Sequence, residues 1–512
     1  MADQTVNPQW ANEETAAFSA DRANRVARNS VTSMGVSAAA RDITTMRTYT
    51  DTYGVAVAKT GDVTNQRQSG RCWMFSSFNV LRQEAIKKLD VDTFEFSQAY
   101  GMFYDKLEKA NSALEYIIQT ADQPTDSRVV NTLLTEGIGD GGYYSFAMSL
   151  VEKYGLVPKD AMPETACSKN STQMDERIDR LFRKSAGELR AAYAAGKSQD
   201  ELRALKQEQL KGFHQILSVC LGEPPLTFDF ECKVGKNAQV DKAKLSPVEP
   251  SKASDNKDKK DDEKNEEGAQ ILRDFGITPL EFAERYCGVD PRGFVQLISV
   301  PSKKYPYGKV YHPTFIDTVL GGIQTRFLNV EPEVLEAATI ASLKDGNPVC
   351  MACDVMQEFP RHNEDFNYVL STDTMDYNGL FGIDFDMDRA SMIENYETSL
   401  THAMTFQGVE LDQNGKAKQW RIENSWGKDS GKDGYLIMSA DWFRLYGGEA
   451  DVRRQYVPED LLKVWDEGED VQIDFWENLG YSLTASKVRN HSVRIRIKTH
   501  PRPVQNFLCR PY

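Results

Sequence analysis

Residues 65–75 read Asn-Gln-Arg-Gln-Ser-Gly-Arg-Cys-Trp-Met-Phe, and two of them, Gln66 and Cys72, are of types that perform acyl transfer. Cys72 opens an amphipathic run in which Met74, Phe78, Leu81, Ala85 and Leu89 recur at the spacing of one buried helical face. A thiol at a helix N-terminus lies among unpaired backbone N–H groups and the positive end of the dipole, which favours the nucleophilic thiolate. Gln66 supplies a neutral amide donor that a loop can fold back beside the sulfur, where it would stabilise a developing oxyanion. A lone cysteine in such a run packs equally well as a small hydrophobe, so the chemistry also requires a base.

The chain has six histidines, His214, His312, His362, His402, His491 and His500. His402 lies in the alternating run Thr401-His402-Ala403-Met404-Thr405-Phe406, the pattern of a half-buried strand. Asp412-Gln413-Asn414-Gly415 then forms a turn signal, and a second strand-like run covers Trp420 to Gly427. Antiparallel pairing about this turn sets His402 nearly opposite Asn424, where cross-strand side chains approach to roughly 5 Å. An asparagine carbonyl would fix the tautomer and ring angle of the imidazole without adding a buried charge. Trp426 would cover that bond from water. An ordinary hairpin with a polar face fits this segment about as well, and Gln66 and Cys72 tip the reading toward catalysis.

Gln66, Cys72-Trp73, His402-Ala403 and Asn424-Ser425-Trp426-Gly427, in that order, resemble the papain-like cysteine peptidases. Gly141-Gly142-Tyr143 is similar to that family's glycine pair on the substrate cleft. Gln-Ser-Gly-Arg-Cys-Trp at 68–73, His-Ala-Met-Thr-Phe at 402–406 and Ile277 to Phe282 narrow the resemblance to the bleomycin hydrolase/aminopeptidase C branch. It implies an α+β papain-like fold, with a helical half carrying the cysteine and a β-barrel-like half carrying the histidine and asparagine. Cys72 and His402 are 330 residues apart, against roughly 130–150 in small papain-like enzymes, so large, mainly helical insertions are expected. By the same resemblance Cys72 would be nucleophile, His402 base and acid, Asn424 orienter, and Gln66 and the Cys72 N–H oxyanion donors. Gly141, Gly142 and Trp426 would meet substrate. The resemblance further implies a homohexamer acting on peptides, without cofactor or metal.

The composition is that of a globular protein, with a mean hydropathy of −0.53. No basic, apolar leader opens the chain and no run approaches the roughly 20 apolar residues of a membrane span. Eight cysteines in 512 residues fit a reducing cytoplasm better than a disulfide scaffold. Cys350-Met351-Ala352-Cys353 has metal or redox spacing, but its apolar surroundings read as a buried strand. A formal charge of −15 disfavours a nucleic-acid partner.

The expected organisation is an N-terminal helical or extended arm over 1–50 and a papain-like left half with the cysteine over 51–165. A helical insertion follows over 166–340, with a mobile charged loop at 234–268. The right half with His402 and Asn424 covers 341–483, and an atypical basic tail covers 484–512. In the resembled branch the chain ends soon after a segment corresponding to Trp476–Leu483, and its terminal carboxylate sits in the cleft, selecting substrates with a free α-amino group. Here the sequence continues, with seven basic and no acidic residues from Thr484 onward. Two origins for it stay open: a functional extension, or a foreign sequence. The carboxylate latch is therefore not carried over. The expected activity is that of a cysteine aminopeptidase. The rivals are an endopeptidase of the same fold lacking the latch, and a nucleic-acid-binding or scaffold protein.

Overall fold

The computed structural model describes residues 5–248, 270–361, 363, 365–477 and 479. The charged run at 255–264, His362 and the tail 484–512 lie outside these residues.

At the centre is the Cys72–Leu89 helix. Its apolar positions pack as their spacing predicts, but the helix is buried on every side from Cys72 to Gln83 rather than along one stripe. Ser76, Asn79 and Arg82 are polar residues that are buried with partners. Ser76 donates to the Met404 carbonyl at 2.5 Å, and Arg82 pairs with Glu423 at 2.6 Å. Arg82 also donates to the carbonyls of Thr60 and Asp62, while Glu423 accepts from Asn79 and Gln407. Burial holds the Glu423 carboxyl above its ordinary value, against the pull of Arg82 and Gln407. This buried pair clamps the helix to the hairpin that carries His402 and Asn424.

One side of the helix faces other helices, Gln98–Gln119 and Tyr144–Tyr154. The opposite side faces a mixed sheet. Among the described residues its strand order is Val471–Ile473, Lys309–Pro313, Phe327–Asn329, Phe294–Ile298, Gly447–Arg453, Val349–Cys353, His402–Leu411, Ala417–Glu423, Tyr435–Ser439, Val369–Leu370. Val55–Ala56 joins the His402–Leu411 strand. The sheet divides two apolar cores, as strand alternation requires. Cys350, Ala352 and Ala403 belong to the core shared with the helices, whereas Met351, Cys353 and Met404 belong to the core behind the sheet. Cys350 and Cys353 thus face opposite sides, which rules out joint ligation of one metal.

The 166–340 region holds more helix than strand among the described residues. Helices fill its first part, chiefly Thr172–Ala194 and Gln199–Leu221. Beyond them Phe228–Val234, Gln270–Ile277 and Leu245–Pro247 form a three-stranded sheet, and three further strands join the large sheet. The described start of the expected loop at 234–268 is likewise structured, since Leu245–Pro247 pairs with Gln270–Leu272. Phe294–Ile298 and Phe327–Asn329 are short and buried at every position, so no alternation marks them in the sequence. The N-terminal residues form the helices Pro8–Ala20 and Arg22–Met34 and two short turns of helix.

Candidate active site

The His402–Leu411 and Ala417–Glu423 strands pair antiparallel about the 412–415 turn, with Thr405 opposite Glu423 and a bulge between Phe406 and Gly408. The paired residues end there, and Trp426, two residues beyond the expected partner, packs on His402. The indole lies against the imidazole, with ring centres 5.0 Å apart, and is itself flanked by Phe359 and Arg361. Asn424 nevertheless reaches His402, with Oδ1 2.9 Å from Nε2. The same Oδ1 accepts from the Ser425 N–H at 2.8 Å. A backbone N–H can only donate, so the atom facing it is the amide oxygen, and His402 must carry its proton on Nε2. That leaves Nδ1 as the basic nitrogen of the neutral ring.

Cys72 begins its helix with its sulfur against the backbone N–H groups of Ala403 and Trp73. The nucleophile is thus seated beside the residue that follows His402. Gln66 is buried and locked at both ends. Its Oε1 accepts from the Ser425 hydroxyl at 2.6 Å and its Nε2 donates to the Ser69 carbonyl at 2.6 Å. One N–H of that amide remains for a substrate oxygen. The Gln66 N–H is held by the Ser425 carbonyl, and Asn65 pairs with Trp426. Ser425, which the sequence reading did not single out, therefore ties the oxyanion loop to the histidine–asparagine hairpin. Its place between Asn424 and Trp426 is the one signal that could have marked it.

Burial dominates the electrostatics. It pushes the Cys72 thiol up to about 11, against the Ala403 and Trp73 N–H groups, and draws His402 down to about 4, against the bond from Asn424. The helix N-terminus alone leads one to expect a stabilised thiolate. In the buried site desolvation opposes that charge and favours thiol and neutral imidazole. Either way the pair holds one proton between about pH 4 and 11.

Gly141 and Gly142 flank the helix start from the other side. A Cβ on Gly142 would lie 2.6 Å from Trp73 Cε2, so the loop can approach this closely only as glycine. Gly141 directs its carbonyl to Lys109 at 2.6 Å. His214 sits on the Gln199–Leu221 helix against Phe103, and His312 pairs with Asp317, so neither joins the site.

A helix-borne cysteine beside a histidine–asparagine hairpin, with a buried glutamine in the loop before it, defines a papain-like thiol peptidase. The chain belongs to the Peptidase C1-like family, which it matches over residues 5–254 and 249–480. It is 35% identical over 457 residues to Aminopeptidase C of Lactobacillus delbrueckii subsp. lactis, covering 89% of this chain and 93% of that protein. With Aminopeptidase W of the same organism it shares 34% over 474 residues, 93% of this chain and 99% of the relative. Its fold is similar to the crystal structure of PepW from Lactobacillus rhamnosis HN001, with a TM-score of 0.82 and 31% identity, covering 93% of this chain and 98% of that one.

Proposed function

We propose that this protein is a cysteine aminopeptidase that releases N-terminal residues from peptides through an acyl-enzyme on Cys72. The observation that carries the reading is the His402 Nε2–Asn424 Oδ1 bond of 2.9 Å, on the strand against which the Cys72–Leu89 helix packs. His402 Nδ1 takes the thiol proton as sulfur attacks the first peptide carbonyl. The oxyanion is met by the free N–H of Gln66 and the backbone N–H of Cys72. The intermediate collapses as His402 returns the proton to the leaving amine. Water then enters, gives a proton to His402 and hydrolyses the thioester, restoring the thiol. Asn424 keeps the imidazole in its working tautomer, Trp426 shields that bond, and Gly141 and Gly142 flank the substrate backbone. Neither metal nor cofactor takes part.

The aminopeptidase names of the relatives support cleavage from the amino end. We further assign the protein to the cytoplasm as a homohexamer. Among the described residues no helix is long and apolar enough to cross a membrane. A pair of peptides differing only in acetylation of the amino terminus tests the reading. The free peptide should lose its first residue, and Cys72→Ala should abolish the reaction. Internal cleavage of the acetylated peptide at a comparable rate would show an endopeptidase instead.

A further inference from the structure

Between the loop carrying Gln66 and Cys72 and the loop carrying Gly141 and Gly142 lies a buried group of charges that these steps do not use. Lys106, fully buried on the Gln98–Gln119 helix, holds its Nζ 2.6 Å from Asp140 Oδ1 and 2.7 Å from Asp175 Oδ1. The other oxygen of Asp140 accepts from the Gly70 N–H at 2.9 Å and from the Ser171 hydroxyl at 2.5 Å. The Asp140 carbonyl accepts from Trp73 Nε1 at 2.7 Å. Lys109, on the same helix, donates to Asp105 at 2.8 Å and to the carbonyls of Gly139 and Gly141 at 3.2 and 2.6 Å. Its ammonium stands 5.3 Å from the Trp73 ring centre.

Buried ion pairs are weak contributors to stability, because desolvation consumes most of their attraction. Their value here is geometric. Asp140 is part of the glycine loop, yet its carboxylate is bonded to the backbone two residues before Cys72. A single side chain thus fixes the separation of the oxyanion loop from the loop that flanks the substrate. The approach is direct, since a Cβ on Gly70 would lie 2.8 Å from Asp140 Cβ. Against the desolvation of burial, Lys106, Ser171 and Gly70 hold the Asp140 carboxyl well below the usual carboxylate range, so it stays ionised. Desolvation instead raises the Asp175 carboxyl above its ordinary value.

The geometry points to Asp140, held by Lys106 and Ser171, as a positioning residue that sets the oxyanion pocket of Cys72 against the substrate loop. This rests on the peptidase reading of Cys72. Asp140 acts through Gly70 and through its own loop, without touching the reacting atoms.

The test compares two reactions of the same sulfur. Hydrolysis of a peptide with a free amino terminus builds an oxyanion, as does the hemithioacetal formed with a peptide aldehyde. Alkylation by iodoacetamide forms a carbon–sulfur bond, expels iodide and builds none. Asp140→Asn removes the charge while keeping the volume, and Ser171→Ala removes a single bond to the carboxylate as a milder variant. A lost hydrogen bond to a charged group predicts that Asp140→Asn lowers kcat about 10- to 100-fold with little change in KM. Aldehyde affinity should fall by a similar factor, while alkylation of Cys72 stays within about 3-fold. Ser171→Ala should show the same split at about 3- to 10-fold. Hydrolysis and alkylation falling in parallel in Ser171→Ala, or hydrolysis unchanged in either variant, would overturn the assignment. Failure of the peptidase reading would appear separately, as wild-type protein that hydrolyses no peptide through Cys72.

Discussion

Replacing Glu423 by glutamine tests whether the clamp between the cysteine helix and the histidine hairpin is electrostatic. The side chain is buried and bonded to Arg82 at 2.6 Å, Gln407 at 2.7 Å and Asn79 at 3.2 Å. Glutamine keeps the volume and one acceptor but leaves the buried guanidinium without an anion. Removing one partner of a buried pair costs about 3–5 kcal/mol. The carbonyls of Thr60 and Asp62 still accept from Arg82 at 2.5 and 2.7 Å, which places the expected loss near the low end, at about 3 kcal/mol. With roughly 2.1 cal/mol/K of unfolding entropy per residue over 512 residues, that loss lowers Tm by only about 3 °C if the chain melts as one unit. Urea unfolding of Glu423→Gln, Arg82→Met and the double variant is therefore the better assay. Each single change should destabilise by about 3 kcal/mol, and the double should cost at least about 2 kcal/mol less than their sum, because the second change removes the stranded charge. Losses that add to within about 0.5 kcal/mol would refute the clamp.

Asn424→Ala removes the bond that fixes the His402 tautomer, and kcat/KM should fall at least about 10-fold while stability changes by about 1 kcal/mol; steady-state kinetics with urea unfolding checks this, and full activity would show that the ring needs no orienter. Gln66→Ala removes an oxyanion donor and should lower kcat by about 10²–10³ without slowing iodoacetamide alkylation to the same degree. The pH profile of kcat/KM follows from the site's shared proton. Below about 4 His402 holds a second proton and cannot accept the one from Cys72, and above about 11 the pair holds none to give the leaving amine. A plateau flat from about pH 6 to 9 is expected, whereas an acid limb at the ordinary imidazole value near 6.5 would show that His402 is hydrated in the working enzyme.

The site was legible in the sequence where short-range pattern carries it. The Cys72 run, the turn at 412–415 and the alternation around His402 each specify a local element. Folding them together brings Gln66, Cys72, His402 and Asn424 into one place. The register was less legible, because bulges between Phe406 and Gly408 and between Glu410 and Leu411 shift the pairing, which ends at Thr405 and Glu423, short of His402. Ser76, Asn79 and Arg82 are polar residues off the apolar spacing of this helix. They are buried because their partners, Met404 and Glu423, lie more than 300 residues away, and periodicity carries no information about such pairs. Lys106 and Asp140 were hidden for the same reason. Lys106 falls in a helix otherwise rich in apolar and aromatic residues, and only the fold shows that its charge meets Asp140 and Asp175. The strands between Phe228 and Asn329 escaped notice because they follow two long helices, and Phe294–Ile298 and Phe327–Asn329 are short and buried at every position, so they show no alternation.

In the proposed reaction Cys72 carries the acyl group of an N-terminal residue. Rapid quench of the enzyme with an amino acid ester bearing a free α-amino group, followed by mass analysis of the peptide containing Cys72, tests it directly. A stoichiometric burst of aminoacyl thioester on Cys72, absent in Cys72→Ala, is expected. Turnover with Cys72 unmodified, or an acyl group on any other residue, would contradict it.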